Sequence, residues 1–458
     1  MNTTTRLVPF AGATRRNTRL KRPAAMLLLL LACAQGALTL TSAPGEKSAS
    51  PQTLRLGTRT FTITQKTRDG TPVINMWKAQ TPTSNQSKAC GFPVLKDAQH
   101  ADVWKPASRR EGAFNHYAAL FFHNGRFFAM WGNHWFGENC PGQRVLFSTS
   151  KDGRSWSPPA ELFPPPGTVG PKDNKSIYLT PDRWVAIDGK LYAIAYVHRA
   201  GIYPIAREVS GDASRLGEPF LLDELPPKGA LPRFLPEPRI NKTLGAKIRQ
   251  WYVDNDMVCW WAHSERTIPS RGIDKARLIE PFAFRSKHGM VVCMRDYSSY
   301  GGSGGGDAIA SNRIYASFPD GKGSWSPMYP TDIPDSHSRA QALRLPDGRV
   351  LLVGNQIASR FDKGIYLERD PLTLAISPDG EYFTKVFALR AGAASGARPK
   401  HRFKTMPGAP DIVGSGPPGY GYASMIVHDG MLYVLYSVNK EDMAITSVPL
   451  ASLAIGAE

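Results

Sequence analysis

Hydrophobic and polar positions along this chain repeat one unit five times: an apolar strand, a polar turn ending in glycine, and a second apolar strand. The unit reads ALFFHNGRFFAMWG, WVAIDGKLYAIAYV, FAFRSKHGMVVCMRD, LRLPDGRVLLVGN and SMIVHDGMLYVLYS. Asn-Gly and Asp-Gly suit a two-residue hairpin, because both central residues need positive φ. The turn glycines are Gly125, Gly189, Gly289, Gly348 and Gly430. They lie 64, 100, 59 and 82 residues apart, so the repeat is loose and carries long insertions.

A second pattern is interleaved with the first. SKDGRSW (150–156) and SPDGEYF (377–383) both read Ser-x-Asp-Gly-x-x-aromatic, and PDGKGSWSP (319–327) is a variant with one more residue. Each follows a strand-like run: RVLFSTS, LTLAIS and NRIYASF. The Asp side chain can accept from nearby backbone N–H groups, and the aromatic can pack under the turn, so these stretches read as structural pins. Residues 220–265 break the repeat and read as an insertion or an irregular unit.

Composition agrees with an all-β chain. Of 458 residues, 42% are hydrophobic, and 42 glycines and 38 prolines are spread along the sequence. The first 43 residues read as a leader, with Arg6, Arg15, Arg16, Arg19, Lys21 and Arg22 ahead of AAMLLLLLACAQGA. That apolar run is shorter than the roughly 20 residues a bilayer span needs and fits a secretory signal, so export to the periplasm or the medium is expected. Cleavage near Ala34 or Ala43 and lipid attachment at Cys33 are both compatible with it. Without the leader's six basic residues, 50 basic residues face 38 acidic ones, a balance of +12 that favours anionic partners. The mature part has neither a nucleic-acid-reading motif nor a dense Lys/Arg run, which argues against nucleic acid.

Other motifs exclude more than they assign. Cys90, Cys140, Cys259 and Cys293 form no zinc spacing, and a Cys90–Cys140 bridge is one compatible pairing. HExxH is absent, and YGGSGGGDA (300–308) lacks the Lys-Ser/Thr of a phosphate-binding loop. No metal or cofactor is expected. Trp131, Trp135, Trp260 and Trp261 suit sugar stacking, but core packing is the preferred reading for most of them.

The three Asp turns resemble the Asp-box (BNR) repeats of the sialidase superfamily, although Gly153 and Gly380 follow their Asp directly, where that family's usual box has an intervening residue. The resemblance runs from about residue 110 to 452. It implies a six-bladed β-propeller over 106–455, preceded by the leader (1–43) and an N-terminal segment (44–105). It also implies an exo-glycosidase, expected as a monomer, that removes a terminal, acidic sugar from glycans by a retaining route. A carboxylate on the anomeric carbon repels an acidic nucleophile, so the family uses a Tyr with a Glu base, an acid/base carboxylate and arginines that hold the substrate's carboxylate.

Carried onto this sequence, the nucleophile is Tyr422, seven residues before the Asp429-Gly430 turn, with Tyr420 as its less well aligned neighbour. Glu280 matches the base, and Arg295 and Arg369 match two clamp arginines. Where the first clamp arginine is expected, FNHYAALFF offers Asn115 or His116. The acid loop reads GNHWFGENCPGQ, with Glu138 as its only carboxylate and His134 and Asn133 as further polar candidates. Each residue also has a plainer reading. Tyr422 suits strand packing, Glu280 suits an ion pair with Arg277 or Arg285, Arg295 suits a salt bridge between blades, Glu138 suits a solvated loop, and VNKED (438–442) reads as solvent-seeking charge. A non-catalytic propeller that binds glycan or protein is the alternative to the enzyme.

Overall fold

The computed structural model describes residues 52–453 except 171–176, 259–260, 262–267, 299–311, 358–368, 393–399, 404–417 and the single positions 68, 84, 200, 228, 270 and 401. The leader, Cys33, Cys259, Trp260 and the Gly-rich run at 300–308 lie outside the described residues. The chain divides at Ser50 into two units, and every described residue belongs to the second.

Five four-stranded antiparallel sheets form a β-propeller. Blade I is Phe114–His123, Arg126–His134, Arg144–Ser150 and Ala160–Phe163. Blade II is Tyr178–Ile187, Lys190–His198, Ile202–Val209 and Phe220–Leu221. Blade III is Leu278–Ser286, Gly289–Asp296, Arg313–Ser317 and Tyr329–Pro334. Blade IV is Gln341–Arg344, Val350–Gly354, Leu372–Ser377 and Lys385–Arg390. Blade V is Tyr420–His428, Met431–Val438 and Asp442–Pro449, and its fourth strand is Gln99–Trp104 from the other end of the chain. The first-named strand of each blade is the innermost.

Among the described residues the count is five blades, not six. Each of the five hairpins legible in the sequence is the inner hairpin of one blade, and the described residues of the stretch from which a sixth had to come form no further sheet. Lys242–Asp254 is instead a helix, N-capped by Asn241, whose side chain accepts from Leu244 N–H at 3.0 Å. Leu244, Ile248 and Tyr252 of the helix pack against blade II, while Val258 and Ile268 pack against blade III. Apolar layers between blades make the rest of the core. Trp184, for instance, fills the layer between blades I and II, 5.4 Å from the Phe128 ring. Truncating such a residue to Ala costs about 3–5 kcal/mol.

The segment before the ring is part of the packing. Two small hairpins and their connections, residues 52–95, lie against blades III and IV, and Asp332 accepts the N–H groups of Met76 and Trp77 at 2.6 and 2.8 Å. Cys90 and Cys140 are both buried, and no disulfide joins them to each other.

The Asp turns connect the third and fourth strands of their blades. Asp152 accepts from the N–H groups of Arg154 and Ser155, both at 2.8 Å, and Gly153 N–H donates to Ser150 Oγ. Asp320 and Asp379 are used alike in blades III and IV. Blade II holds a fourth turn of this kind, Ser210-Gly-Asp212-Ala-Ser214, which lacks the Asp-Gly pair by which the others are legible. Blade V has none, because its fourth strand is not connected to its third.

Candidate active site

The inner strand of blade II slips by one residue between Pro181 and Arg183 without a left-handed residue. Those of blades I, III and V slip at one place each, by a residue or more, between His116 and Ala119, Ile279 and Phe282, and Gly421 and Ser424. Each of these three bulges holds one side chain in the left-handed region: Tyr117 (φ 64°), Glu280 (φ 57°) and Tyr422 (φ 56°). His337, just before the inner strand of blade IV, has φ 57°. Such backbone costs about 1–3 kcal/mol per residue and turns the side chain away from the sheet face it would otherwise join.

Two three-membered clusters result. In the first, the Tyr422 hydroxyl donates to Glu280 Oε1 at 2.5 Å and accepts from Arg295 Nη2 at 3.0 Å. Arg295 Nε lies 2.5 Å from Glu280 Oε2, closing the triangle. Arg295 also donates to the His337 carbonyl, which Arg369 Nη2 reaches at 3.5 Å, and the Arg369 guanidinium lies 5.2 Å from the Tyr422 ring centre. Burial raises the Tyr422 phenol well above its usual pKa, with Arg295 and Arg369 opposing and Glu280 adding to the rise. At neutral pH it is therefore a neutral phenol hydrogen-bonded to a carboxylate.

In the second cluster, the Tyr117 hydroxyl donates to Glu138 Oε1 at 2.7 Å, and the other Glu138 oxygen pairs with Lys440. Burial alone would raise the Glu138 pKa. The charge and hydrogen bond of Lys440, with the hydrogen bond from Tyr117, outweigh it and hold the carboxyl at about 2. The Tyr117 phenol is raised well above its ordinary value, by burial first and by Glu138 next. The two tyrosine rings meet edge to face at 5.4 Å, and the His116 ring lies 4.0 Å from that of Tyr422.

The two glycines flanking Tyr420 follow from this crowding. A Cβ on Gly419 would sit 2.7 Å from the Arg369 backbone, and one on Gly421 would sit 3.1 Å from Arg369 Cδ and 3.2 Å from Ser338 Oγ. Gly-Tyr-Gly-Tyr is thus the sequence that lets blade V press against Arg369. Tyr420 points elsewhere, its ring 5.9 Å from Tyr436 and 5.2 Å from the Arg390 guanidinium.

Of the residues named from the sequence, Tyr422, Glu280, Arg295 and Arg369 converge, and Glu138 stands beside them through Tyr117. Asn115 does not join them. Its amide donates to the carbonyls of Gly112 and Glu441, and its oxygen accepts from Trp131 and Asn133, so it ties blade I to blade V. His116 backs the Tyr422 ring and bonds Ser437 Oγ at 2.6 Å. His134 shapes the loop that carries Glu138. One ring nitrogen meets the Pro141 carbonyl, the other accepts from Phe136 N–H, and burial lowers its pKa to about 4. Glu280 pairs with Arg295 rather than with Arg277 or Arg285, the latter being taken by Asp256.

Tyr117 and Lys440 went unrecognised in the sequence. VNKED is not a solvent-facing end: Asn439 and Lys440 form a tight turn with φ 59° and 57°, Glu441 is fully buried, and Lys440 is largely covered. Among the described residues, no group of three or more His, Cys, Asp or Glu side chains is placed to hold a metal.

Two family models match consecutive parts of the chain: an N-terminal β-propeller over residues 96–203 and a BNR repeat-like domain over 238–434. The chain is a β-propeller with a BNR repeat-like part. A solved structure described as a sialidase matches the propeller with a TM-score of 0.55 at 18% identity, over 82% of this chain and 35% of its own. This chain therefore spans about a third of that protein's length, and at such identity the likeness is one of fold. A mutant of Trypanosoma rangeli sialidase displaying trans-sialidase activity matches at 10% identity and TM-score 0.39, covering 79% of this chain and 60% of its own. A glycosyl hydrolase from Bacteroides ovatus matches at 11% and 0.35, covering 82% and 94%. No curated protein matches the propeller in sequence.

Proposed function

We propose that this propeller is a glycoside hydrolase of sialidase type that releases a terminal anionic sugar with retention of configuration. The observation that carries the reading is the closed triangle of Tyr422, Glu280 and Arg295. The Tyr422 oxygen attacks the anomeric carbon while Glu280 takes the phenolic proton, and the bond to the leaving oxygen breaks. Water then attacks the glycosyl-tyrosine, and Glu280 returns its proton to the departing Tyr422 oxygen. Arg295 stabilises negative charge on that oxygen, and Arg369 with Arg295 meets the anionic group of the sugar.

One observation favours a second reading, a propeller that binds such a glycan without cleaving it: Glu138 is held ionised and cannot donate a proton directly. Turnover separates the two. On the 4-nitrophenyl glycosides of N-acetylneuraminic acid and glucuronic acid, the enzyme reading expects release of nitrophenol with retention at the anomeric carbon, abolished in Tyr422→Phe. Binding of either sugar without turnover selects the second reading, and unchanged turnover in Tyr422→Phe removes the nucleophile assignment.

A further inference from the structure

Cleavage of an unactivated glycoside needs a proton for the departing oxygen as well as a nucleophile. On the hydrolase reading above, on which this inference rests, the donor has still to be found, since Glu138 is already ionised and bonded on both oxygens. We infer that the donor is a relay, Lys440 to Glu138 to Tyr117, in which Tyr117 is the group that meets the leaving oxygen.

Three observations carry this. The relay is continuous, from the Lys440 ammonium to one Glu138 oxygen, and from the other Glu138 oxygen to the Tyr117 hydroxyl at 2.7 Å. Tyr117 also lines the same cavity as Glu280, a space of about 350 Å³ whose other wall includes Tyr178, Thr180 and His198 of blade II. Finally, Tyr117 occupies the same kind of bulge as Tyr422, one blade round, and the two rings touch. A sugar whose anomeric carbon is at Tyr422 thus has Tyr117 as its neighbouring phenol and the blade II cavity for the group that leaves. Burial lowers the pKa of Lys440, which Glu138 only partly restores, and this eases donation from its ammonium.

The protons balance. As the glycosidic bond breaks, the leaving oxygen takes the Tyr117 proton. Lys440 protonates the Glu138 oxygen it pairs with, and the carboxyl turns to hand that proton to Tyr117. Lys440 is left neutral, while Glu280 holds the proton from Tyr422; the return transfer uses the reverse turn. In the second step the attacking water gives its proton to Tyr117, from which one passes back to Lys440, and Glu280 reprotonates Tyr422. Free enzyme and product-release states carry the same charge.

The test compares leaving groups on one sugar. The 4-nitrophenyl and methyl glycosides of N-acetylneuraminic acid and of glucuronic acid are assayed with the wild type, Tyr117→Phe and Glu138→Gln, each checked for folding by thermal melting. Nitrophenol departs with little help, and methanol needs a proton. Tyr117→Phe is expected to lose about 100-fold or more on the methyl glycoside and at least tenfold less than that on the nitrophenyl glycoside, and Glu138→Gln shows the same split. Equal losses on both substrates in Tyr117→Phe overturn the relay, as does full activity on the methyl glycoside. A split in Glu138→Gln without one in Tyr117→Phe returns the acid role to Glu138 itself and also overturns it. Tyr117→Phe leaves the Glu138–Lys440 ion pair in place, so a purely structural pair yields no split. An inactive Tyr422→Phe beside an unsplit Tyr117→Phe sinks the relay alone, and a wild type inactive on all four substrates sinks both readings.

Discussion

Two features recur from blade to blade, and they recur differently. The Asp turns at the outer connections repeat their residues: Asp152, Asp212, Asp320 and Asp379 each accept backbone N–H groups in the same way. The left-handed positions on the inner side repeat only their backbone. The same conformation presents Tyr117, Glu280, His337 and Tyr422 in turn. Where a fold repeats side chain and conformation together, the residue serves the blade. Where it repeats the conformation and varies the side chain, the blades have been made to contribute different groups to one place.

The sharpest way to break that distinction is at Glu280. Glu280→Gln removes the proton acceptor of Tyr422 and the charge facing Arg295, and turnover on a nitrophenyl glycoside is expected to fall by about 100- to 1,000-fold with the fold retained. A loss of folding instead, read by thermal melting, would place Glu280 with the Asp turns as a structural residue. Next in size is Gly421→Ala, whose new Cβ meets Arg369 and Ser338. It is expected to raise KM for an anionic substrate about tenfold while changing kcat less, because Arg369 is displaced and the triangle is not.

The outer turns should respond in stability alone. Asp152→Ala leaves two backbone N–H groups without their acceptor and is expected to lower Tm by about 2–4 °C with no change in kcat. Backbone N–H bonds from Ser155 and Arg154 hold the Asp152 carboxyl below its ordinary pKa. Its contribution is thus complete above the unfolded-state value and is lost as pH falls through the folded one. The Tm gap between wild type and Asp152→Asn should accordingly be constant near neutrality and narrow below about pH 4. Smallest is Gly430→Ala at the inner hairpin turn of blade V. Nothing crowds the new methyl, but φ is +71°, so about 1 kcal/mol of stability is expected to go, measured by denaturant unfolding, with activity intact.

The same contrast explains what was legible. Turns are written in local chemistry, so the five Asx-Gly or equivalent hairpins and three of the four Asp turns are readable residue by residue. Those hairpins already counted five blades, and the sixth came from the family pattern alone. Tyr422, Glu280, Arg295 and Arg369 were located by likeness, since nothing in their own spacing brings together residues from blades III, IV and V. Tyr117 was hidden because a bulge leaves no mark in FNHYAALFF, which reads as an ordinary apolar strand. Lys440 was hidden because a charged turn looks the same whether it faces water or Glu138. Asn115 and His116 lie on the inner strand of blade I, but their side chains are spent on joining blade I to blade V and on backing Tyr422.

The strand Gln99–Trp104 is made well before its partner, Asp442–Pro449. Tyr422 and Lys440 belong to the blade those two strands complete. A nascent chain that has finished four blades therefore has Glu280, Arg295 and Glu138 in hand but neither Tyr422 nor Lys440. On the hydrolase reading, turnover is therefore expected only once the ring has closed, and a nick or truncation that frees either end of blade V should silence it before the other four blades are disturbed.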